Sequence, residues 1–205
     1  MLSKGMDDGW DMAELLCARL CHDLSGAIGV AAAGAELLED GPYDKDTARL
    51  VVTSCAGATA RLKFLRAAFS PASRPQSAGA VEDLARAYLD AVSQGLVLDW
   101  RVEDVPLAAD QARLLLNMIL LARDALPRGG TVAVTWNEST GTRRVAAMGT
   151  PAVLPEEAHA PLFHGTKPEG PRAAQALLTR NLALRTGATL AASLENGLLA
   201  LIVTS

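Results

Sequence analysis

Apolar side chains recur along the first seventy residues with the period of an α-helix. At about 100° per residue they fall on one face of a helix predicted over residues 11–39 and of a second helix over residues 46–69. A short turn with a glycine and a proline separates the two, so we expect an antiparallel hairpin. Its apolar stripe stays open, which predicts pairing with a second copy into a dimeric four-helix bundle. The stripe comprises Leu16, Leu20, Leu24, Ala27, Ile28, Ala31, Ala35 and Leu38, then Leu50, Val51, Ala58, Leu62, Leu65 and Phe69.

The pattern changes after a Pro- and Ser-rich segment at residues 70–77. The following chain predicts helices at residues 81–92, 109–126 and 171–186, and strands at residues 96–102, 131–136, 144–148, 188–194 and 198–204. The last two strands flank Asn196-Gly197, a pair favoured in hairpin turns. The expected fold class is α+β: a hairpin domain at 1–70, a linker at 71–77, and at 78–205 an α/β sandwich of mostly antiparallel strands with helices on one face.

Composition and charge exclude several classes of function. Half of the 205 residues are hydrophobic and the net charge is −4 without a basic block, which argues against a generic nucleic-acid surface. The N-terminus lacks the apolar core of a signal peptide, and we expect no stretch to approach the about 18 apolar residues of a membrane span. Three cysteines, an odd number without framework spacing, suit a reducing cytoplasm.

The helix surface around His22 is unusual for a solvent-facing one. His22 points away from the apolar stripe, and beside it lie Ser25, Gly26, Gly29 and Ala33 instead of long polar side chains. Each glycine within a helix costs about 0.8–1 kcal/mol relative to alanine. We interpret this floor of small residues as access for a second protein to a reactive imidazole. Close packing between helices is the alternative explanation of the glycines.

A helical hairpin that carries His-Asp-Leu and precedes this order of elements resembles the core of a histidine kinase. Residues 115–134 resemble the kinase N-box and the strand after it, but Leu121 occupies the position of the magnesium-binding Asn and Asp124 that of a Lys. Ala147 stands where the next kinase motif has its adenine-binding Asp, and residues 169–175 lack the glycine pattern of the phosphate lid. We therefore expect a degenerate, Bergerat-like domain that does not bind ATP.

From about residue 13 to its end the chain resembles the ChpT-type histidine phosphotransferases, a family that combines such a hairpin with a degenerate kinase domain. The resemblance rests on Arg19-Leu20-Cys21-His22-Asp23, Glu36-Leu37-Leu38-Glu39-Asp40, Leu98-Asp99-Trp100 and Ala125-Leu126-Pro127-Arg128-Gly129-Gly130. It implies a cytoplasmic homodimer in a two-component phosphorelay that controls the cell cycle. The phosphoryl group would come from the receiver domain of a CckA-like hybrid histidine kinase and pass to response regulators resembling CtrA and CpdR.

The resemblance also assigns roles to residues. His22 would be the phosphorylated residue, and Asp23 would orient its ring and take its proton. A free imidazole has a pKa near 6.5 and is largely neutral at about pH 7, so it can attack phosphorus. The partner surface would comprise Arg19, Ser25, Gly26, Gly29 and Ala33. The protein would need no cofactor or metal of its own, because the receiver supplies Mg²⁺. Gly26 replaces the Thr or Asn that would place water for receiver dephosphorylation.

Other hypotheses remain open at this stage. The chain could be an ATP-dependent histidine kinase with a divergent site, or a scaffold that binds receivers without chemistry. Cys17, Cys21 and His22 invite a metal interpretation, but His22 is rotated away from the two cysteines and a structural zinc site needs four ligands. His159 and His164 are expected on the surface, in a loop at the position of the kinase lid.

Overall fold

The computed structural model describes residues 2–71, 76–137, 140–195 and 198–204. Within these ranges six helices and seven strands follow one another along the chain. In chain order they are α1 (Leu2–Asp40), α2 (Lys45–Phe69), β1 (Gln76–Ser77), α3 (Ala78–Val92), β2 (Leu96–Arg101), β3 (Pro106–Leu107), α4 (Ala109–Asp124), β4 (Gly130–Asn137), β5 (Thr142–Met148), α5 (Glu156–His164), α6 (Pro171–Arg185), β6 (Thr189–Glu195) and β7 (Leu198–Thr204).

Helices α1 and α2 form the predicted hairpin. The Asp44 side chain accepts a hydrogen bond from the Thr47 backbone N–H at 2.8 Å and so caps α2 at its start. The two helices approach closely at Gly34, where a Cβ atom would lie 2.7 Å from Val51 Cγ2. Gly34 therefore has a packing reason within the chain, because a larger side chain there would push α2 away.

The α/β part is built on one five-stranded sheet of order β2-β4-β5-β7-β6. Only β2 and β4 pair in parallel among these strands, and the other neighbours are antiparallel, as predicted. Helices α3, α4 and α6 pack against this sheet. The pairing places Val132 of β4 opposite Ala147 of β5 at the centre of the apolar layer. The Asn196-Gly197 turn lies outside the described residues.

One apolar core runs from the hairpin into the sheet. Phe64, Leu65 and Ala68, near the end of α2, are fully buried in the same cluster as the middle of α4 and the core-facing side of β4 and β5. The assignment of Leu65 to the open stripe of a bundle was therefore wrong. Its side chain is covered because α3 and α4 pack against the last turns of α2.

Helix α5 was not predicted, because its segment was expected to be a loop. Its pattern is weak, since it follows Pro155, contains Pro161 and has only three buried residues. The Gly165 backbone ends the helix at φ 69°, a left-handed conformation that glycine adopts without a steric penalty. His159 and His164 therefore lie on a helix, and both are exposed as expected.

Helix α1 also corrects the expectation about membrane spans. Its 32-residue segment Gly9–Asp40 contains an 18-residue stretch with a mean hydropathy of 1.3, so the helix is long and apolar enough to cross a membrane by length and composition alone. Only 6% of that 18-residue stretch is buried within the chain, so most of its surface is left uncovered. This is a weak indication, because helices of soluble proteins pass the same criterion.

Candidate functional site

His22 lies in the middle of α1 with 85% of its side chain exposed. Its Nδ1 lies 3.2 Å from Asp23 Oδ1, the carboxylate of the next residue. When that nitrogen carries the ring proton and donates it to Asp23, Nε2 keeps its lone pair and faces no hydrogen-bond partner within the described chain. The arrangement therefore fixes which nitrogen is free to react with a second molecule.

A series of charged side chains lies beneath His22 and Asp23. The second Asp23 oxygen accepts a hydrogen bond from Arg19 Nε at 3.3 Å, and Arg19 Nη2 lies 2.7 Å from Asp124 Oδ2 at the end of α4. Arg123 Nη1 in turn donates to Asp124 Oδ1 at 2.8 Å. Because Arg19 and Asp124 are only 3% and 2% exposed, the α/β part holds the Asp23 carboxylate through buried ions.

The electrostatics keep the two arginines charged. Burial alone would lower the pKa of Arg19, but the Asp124 and Asp23 carboxylates outweigh it and raise that pKa. The pKa of Arg123 is raised in the same way against burial, by Tyr88 and Asp124. Both guanidinium groups therefore carry a positive charge at every physiological pH.

Helices α2 and α3 brace the same turn of α1. Arg61 Nη1 donates to the Asp23 carbonyl at 3.1 Å, and its Nη2 donates to the Ala91 carbonyl at 2.7 Å. Beside them, the Tyr88 ring stacks on Phe64 at 4.2 Å between centroids. Burial raises the pKa of the Tyr88 hydroxyl to about 12, and this hydroxyl has no hydrogen-bond partner in the described chain.

The small residues around His22 face open space. A Cβ atom built at Gly26 or Gly29 would meet no atom within 4 Å, unlike at Gly34, so packing within the chain does not explain these two glycines. Ala33 is exposed, and the exposed Ser25 hydroxyl donates to the Cys21 carbonyl of its own helix at 2.6 Å. The floor of small residues is therefore accessible in the single chain.

Arg19 differs from this expectation. It was predicted as part of the partner surface, but the structure buries it in ion pairs with Asp23 and Asp124. The reason is that the end of α4 lies against this side of α1, a contact that the helical pattern of α1 alone does not reveal. The placement of Arg19 on the docking surface is therefore corrected to a place beneath the site.

The positions of the lost nucleotide motifs are filled with apolar side chains. Leu121 and Ala147 are 1% and 0% exposed, and both belong to the continuous core. At Gly149, near the end of β5, a Cβ atom would lie 2.6 Å from Leu126 Cδ2 and 2.9 Å from the Gly129 carbonyl oxygen. This glycine therefore serves close packing of the chain.

The three cysteines are exposed and free, and they lie on α1 and α2. In the ranges that the structure describes, no group of three or more His, Cys, Asp or Glu side chains could hold a metal ion. His159 packs edge-on against Phe163 at 4.9 Å between centroids, within α5.

Two clefts flank His22, and Asp23 and Arg123 border both of them. The first has a volume of about 470 Å³ and lies between α1 and the adjoining ends of α4 and α6. The second, about 400 Å³, lies towards α2 and α3 and is lined by Gly26, Arg61 and Tyr88 among others. His22 thus stands on a ridge with charged walls on either side.

Sequence reasoning missed most of the residues that support His22. The sequence indicates Asp124 only as a departure from the kinase pattern, and it gives no prediction for Arg61, Tyr88, Arg123 and Arg172. A signal was present, because Arg123-Asp124 is a charged pair at the end of a helix whose preceding turns are almost wholly apolar. Such a pair at a buried end indicates partners from another element.

A helical hairpin that presents an exposed histidine beside a carboxylate, joined to an α/β domain that holds this carboxylate, defines the class of histidine phosphotransfer proteins. The family model for the histidine phosphotransferase C-terminal domain matches residues 79–197, and the chain belongs to this family, as a ChpT-type protein.

The comparisons also give two relatives. The protein phosphotransferase ChpT of Brucella abortus (strain 2308) is 37% identical over 127 residues, which cover 60% of this chain and 60% of that protein. The solved structure of a bacterial phosphotransferase is 29% identical and matches with a TM-score of 0.81 over 95% of this chain and 96% of that one. The predicted fold class is confirmed.

Proposed function

We propose that this chain relays phosphoryl groups between receiver domains through His22. The receiver brings an aspartyl phosphate, and the Nε2 lone pair attacks its phosphorus in line. The Nε2–P bond forms as the P–O bond to the receiver carboxylate breaks, and the carboxylate leaves as an anion. As that bond forms, the Nδ1 proton moves to the Asp23 carboxylate, which acts as the general base. The same step in reverse delivers the group to the next receiver.

One observation carries this proposal: His22 is exposed, and its Nδ1 lies against the Asp23 carboxylate. The buried ion pair of Arg19 and Asp124 holds that carboxylate in place. An imidazole of fixed orientation needs less reorganisation when phosphorus approaches. The filled positions of Leu121 and Ala147 support a phosphoryl source other than ATP bound to this chain. Asp23 acts as the general base and positioning group in this account.

The proposed partners follow from the resemblance of the chain to the ChpT-type histidine phosphotransferases. We propose that the donor is the receiver domain of a CckA-like hybrid kinase and that the acceptors are regulators resembling CtrA and CpdR. Mg²⁺ enters with the receiver. Gly26 and Gly29 are the docking floor, together with Ser25 and Ala33, because their open surroundings let a partner helix approach His22.

We further propose that the chain is a cytoplasmic homodimer through its hairpin. The hairpin exposes Ile28, Val30, Leu37, Leu50, Val52 and Leu62 in the single chain. A second copy accounts for this surface better than lipid does, because α1 carries Arg19, His22 and Asp23 in mid-helix and packs along α2. Light scattering at micromolar concentration should give twice the chain mass, and a stable monomer would contradict the dimer.

The function is tested by phosphotransfer from a CckA-like receiver domain that has been phosphorylated with acetyl phosphate. The parent chain should take up the label and release it to a second receiver. His22→Ala should remove uptake while keeping the circular dichroism spectrum and the melting temperature, because His22 is exposed and its loss leaves no cavity. Undiminished uptake by His22→Ala would refute the proposal.

A further inference from the structure

The first cleft beside His22 has walls from several elements. Arg19, His22 and Asp23 of α1 line it together with Arg123 of α4, Glu157 of α5 and Arg172 of α6. Three guanidinium groups thus face two carboxylates and the imidazole. Helix α6 begins at this cleft and has no side-chain cap on its first turn, so the positive end of its dipole points there.

Several donors in these walls are not fully used. Arg19 is 3% exposed, yet its Nη1 has no hydrogen-bond partner in the described chain. The half-exposed Arg172 lies 3.6 Å from Glu157 and 3.9 Å from Asp124, distances longer than hydrogen bonds. Arg172 can exchange these loose contacts for shorter, charge-assisted hydrogen bonds to an anion in the cleft.

We propose that this cleft receives the phosphoryl group once it is on His22, with Arg172 and Arg123 donating to its oxygens. The proposal rests on the proposed function, because it requires a phosphorylated His22. The degenerate α/β part then has a chemical role: it supplies the cationic wall for a covalent intermediate. Arg172 exchanges its loose contact with Glu157 for the phosphoryl oxygens.

The arrangement of charges favours the doubly ionised phosphoryl group. Charged groups from four helices surround the position of the phosphoryl group: Arg19 and Asp23 of α1, Arg123 and the buried Asp124 of α4, Glu157 of α5 and Arg172 of α6. Arg61 of α2 lines the neighbouring cleft. Arg172 is the most exposed of the three arginines in the first cleft, with 51% of its side chain in solvent, so its removal disturbs the buried ion pairs least. It is therefore the residue to vary.

The experiment uses phosphoramidate as a donor that needs no partner protein. His22 Nε2 attacks phosphorus, the P–N bond of phosphoramidate breaks, and ammonia leaves. The ³¹P signal of the phosphohistidine is then followed with pH, in the parent, in Arg172→Ala and in Arg185→Ala. Arg185 is a matched control on the same helix, similarly exposed and paired with Asp110 at 2.8 Å, away from the cleft.

We expect Arg172→Ala to raise the midpoint of phosphoryl ionisation by about 0.3–0.7 pH unit, the range that a partly exposed charge pair gives. Arg172→Lys should return most of that shift, and Arg185→Ala should leave the midpoint at the parent value. Equal midpoints in Arg172→Ala and Arg185→Ala would overturn the cleft proposal alone. A parent chain that forms no phosphohistidine would overturn the proposed function as well.

Discussion

The surroundings of His22 and the region of the lost nucleotide motifs differ in almost every physical property. His22 is exposed, and polar groups, buried ions and two open clefts surround it. Leu121 and Ala147 are buried, and both belong to the continuous apolar core. One fold thus keeps an accessible reactive side chain at one place and closes the other.

Helix α4 connects the two regions. Its middle fills the core through Leu121, and its last turn presents Asp124 to Arg19 of α1. The α/β part therefore supports the surroundings of His22 through the same helix that fills its apolar core. Its packing fixes the buried ions that orient the Asp23 carboxylate.

Asp23→Asn should have the largest effect on phosphotransfer among the substitutions that keep His22. The amide keeps the size of the side chain but cannot take a proton or remain an anion, so we expect phosphotransfer to slow by about 10²–10⁴-fold. Asp11→Asn is the matched control, since Asp11 lies on the same helix and pairs with Lys167 at 2.6 Å. Rates of Asp23→Asn within a few-fold of this control would show that Asp23 has no part in the chemistry.

Ala147→Asp tests whether the region around Leu121 and Ala147 is a closed apolar core. The carboxylate would restore the residue type of the kinase motif, but in a fully buried apolar layer it should lower stability by about 3 kcal/mol or more. Ala33→Asp, on the exposed surface of α1, should change stability by less than about 1 kcal/mol. Chemical denaturation measures both, and a folded, ATP-binding Ala147→Asp protein would contradict the filled pocket.

The buried Tyr88 hydroxyl beside the His22 site should make the stability of the protein depend on pH. Its pKa of about 12 lies above the ordinary value of about 10, so the hydroxyl ionises in the unfolded chain first. Protonated Tyr88 therefore contributes about 2–3 kcal/mol to the free energy of unfolding below about pH 10. This contribution is lost as the pH rises from about 10 to about 12. Tyr88→Phe should remove this alkaline loss at fixed protein concentration. An unchanged pH dependence in Tyr88→Phe would mean that the hydroxyl is not buried in solution.

Gly29→Arg should separate docking from folding. In open space the arginine improves helix propensity, so stability should stay or rise by up to about 1 kcal/mol. Its long side chain should hold a receiver away from His22 and slow phosphotransfer about tenfold or more. By contrast, Gly34→Ala should lower stability because its Cβ meets Val51. Parental transfer by Gly29→Arg would show that the small residues are not a docking surface.

The elements of the fold could be predicted where one period dominates. The hairpin, α4, α6 and the main strands all follow from their spacing of apolar residues, to within a few residues at most ends. The start of α1 at Leu2 and the whole of α5 were missed. The preceding Pro155, Pro161 within α5 and a short apolar pattern conceal this helix, which packing against α6 stabilises.

The site was only partly predictable for a related reason. His22, Asp23 and the small residues share one helix, so their geometry follows from its pitch. The contacts of Arg19 with Asp124 and of Arg61 with Ala91 join residues far apart in sequence, and the packing of whole elements decides them. The same long-range packing buried Leu65, which the pattern of α2 alone placed on the open stripe.

The most direct test of this account is the location of the phosphate after transfer from a phosphorylated receiver. Peptide mapping under alkaline conditions, where phosphohistidine survives, should find one acid-labile phosphate, on His22. The same sample incubated with Mg-ATP in place of the receiver should carry none. A phosphate on His159 or His164 instead, or labelling of His22 from ATP alone, would contradict the contrast between an open histidine site and a closed nucleotide position.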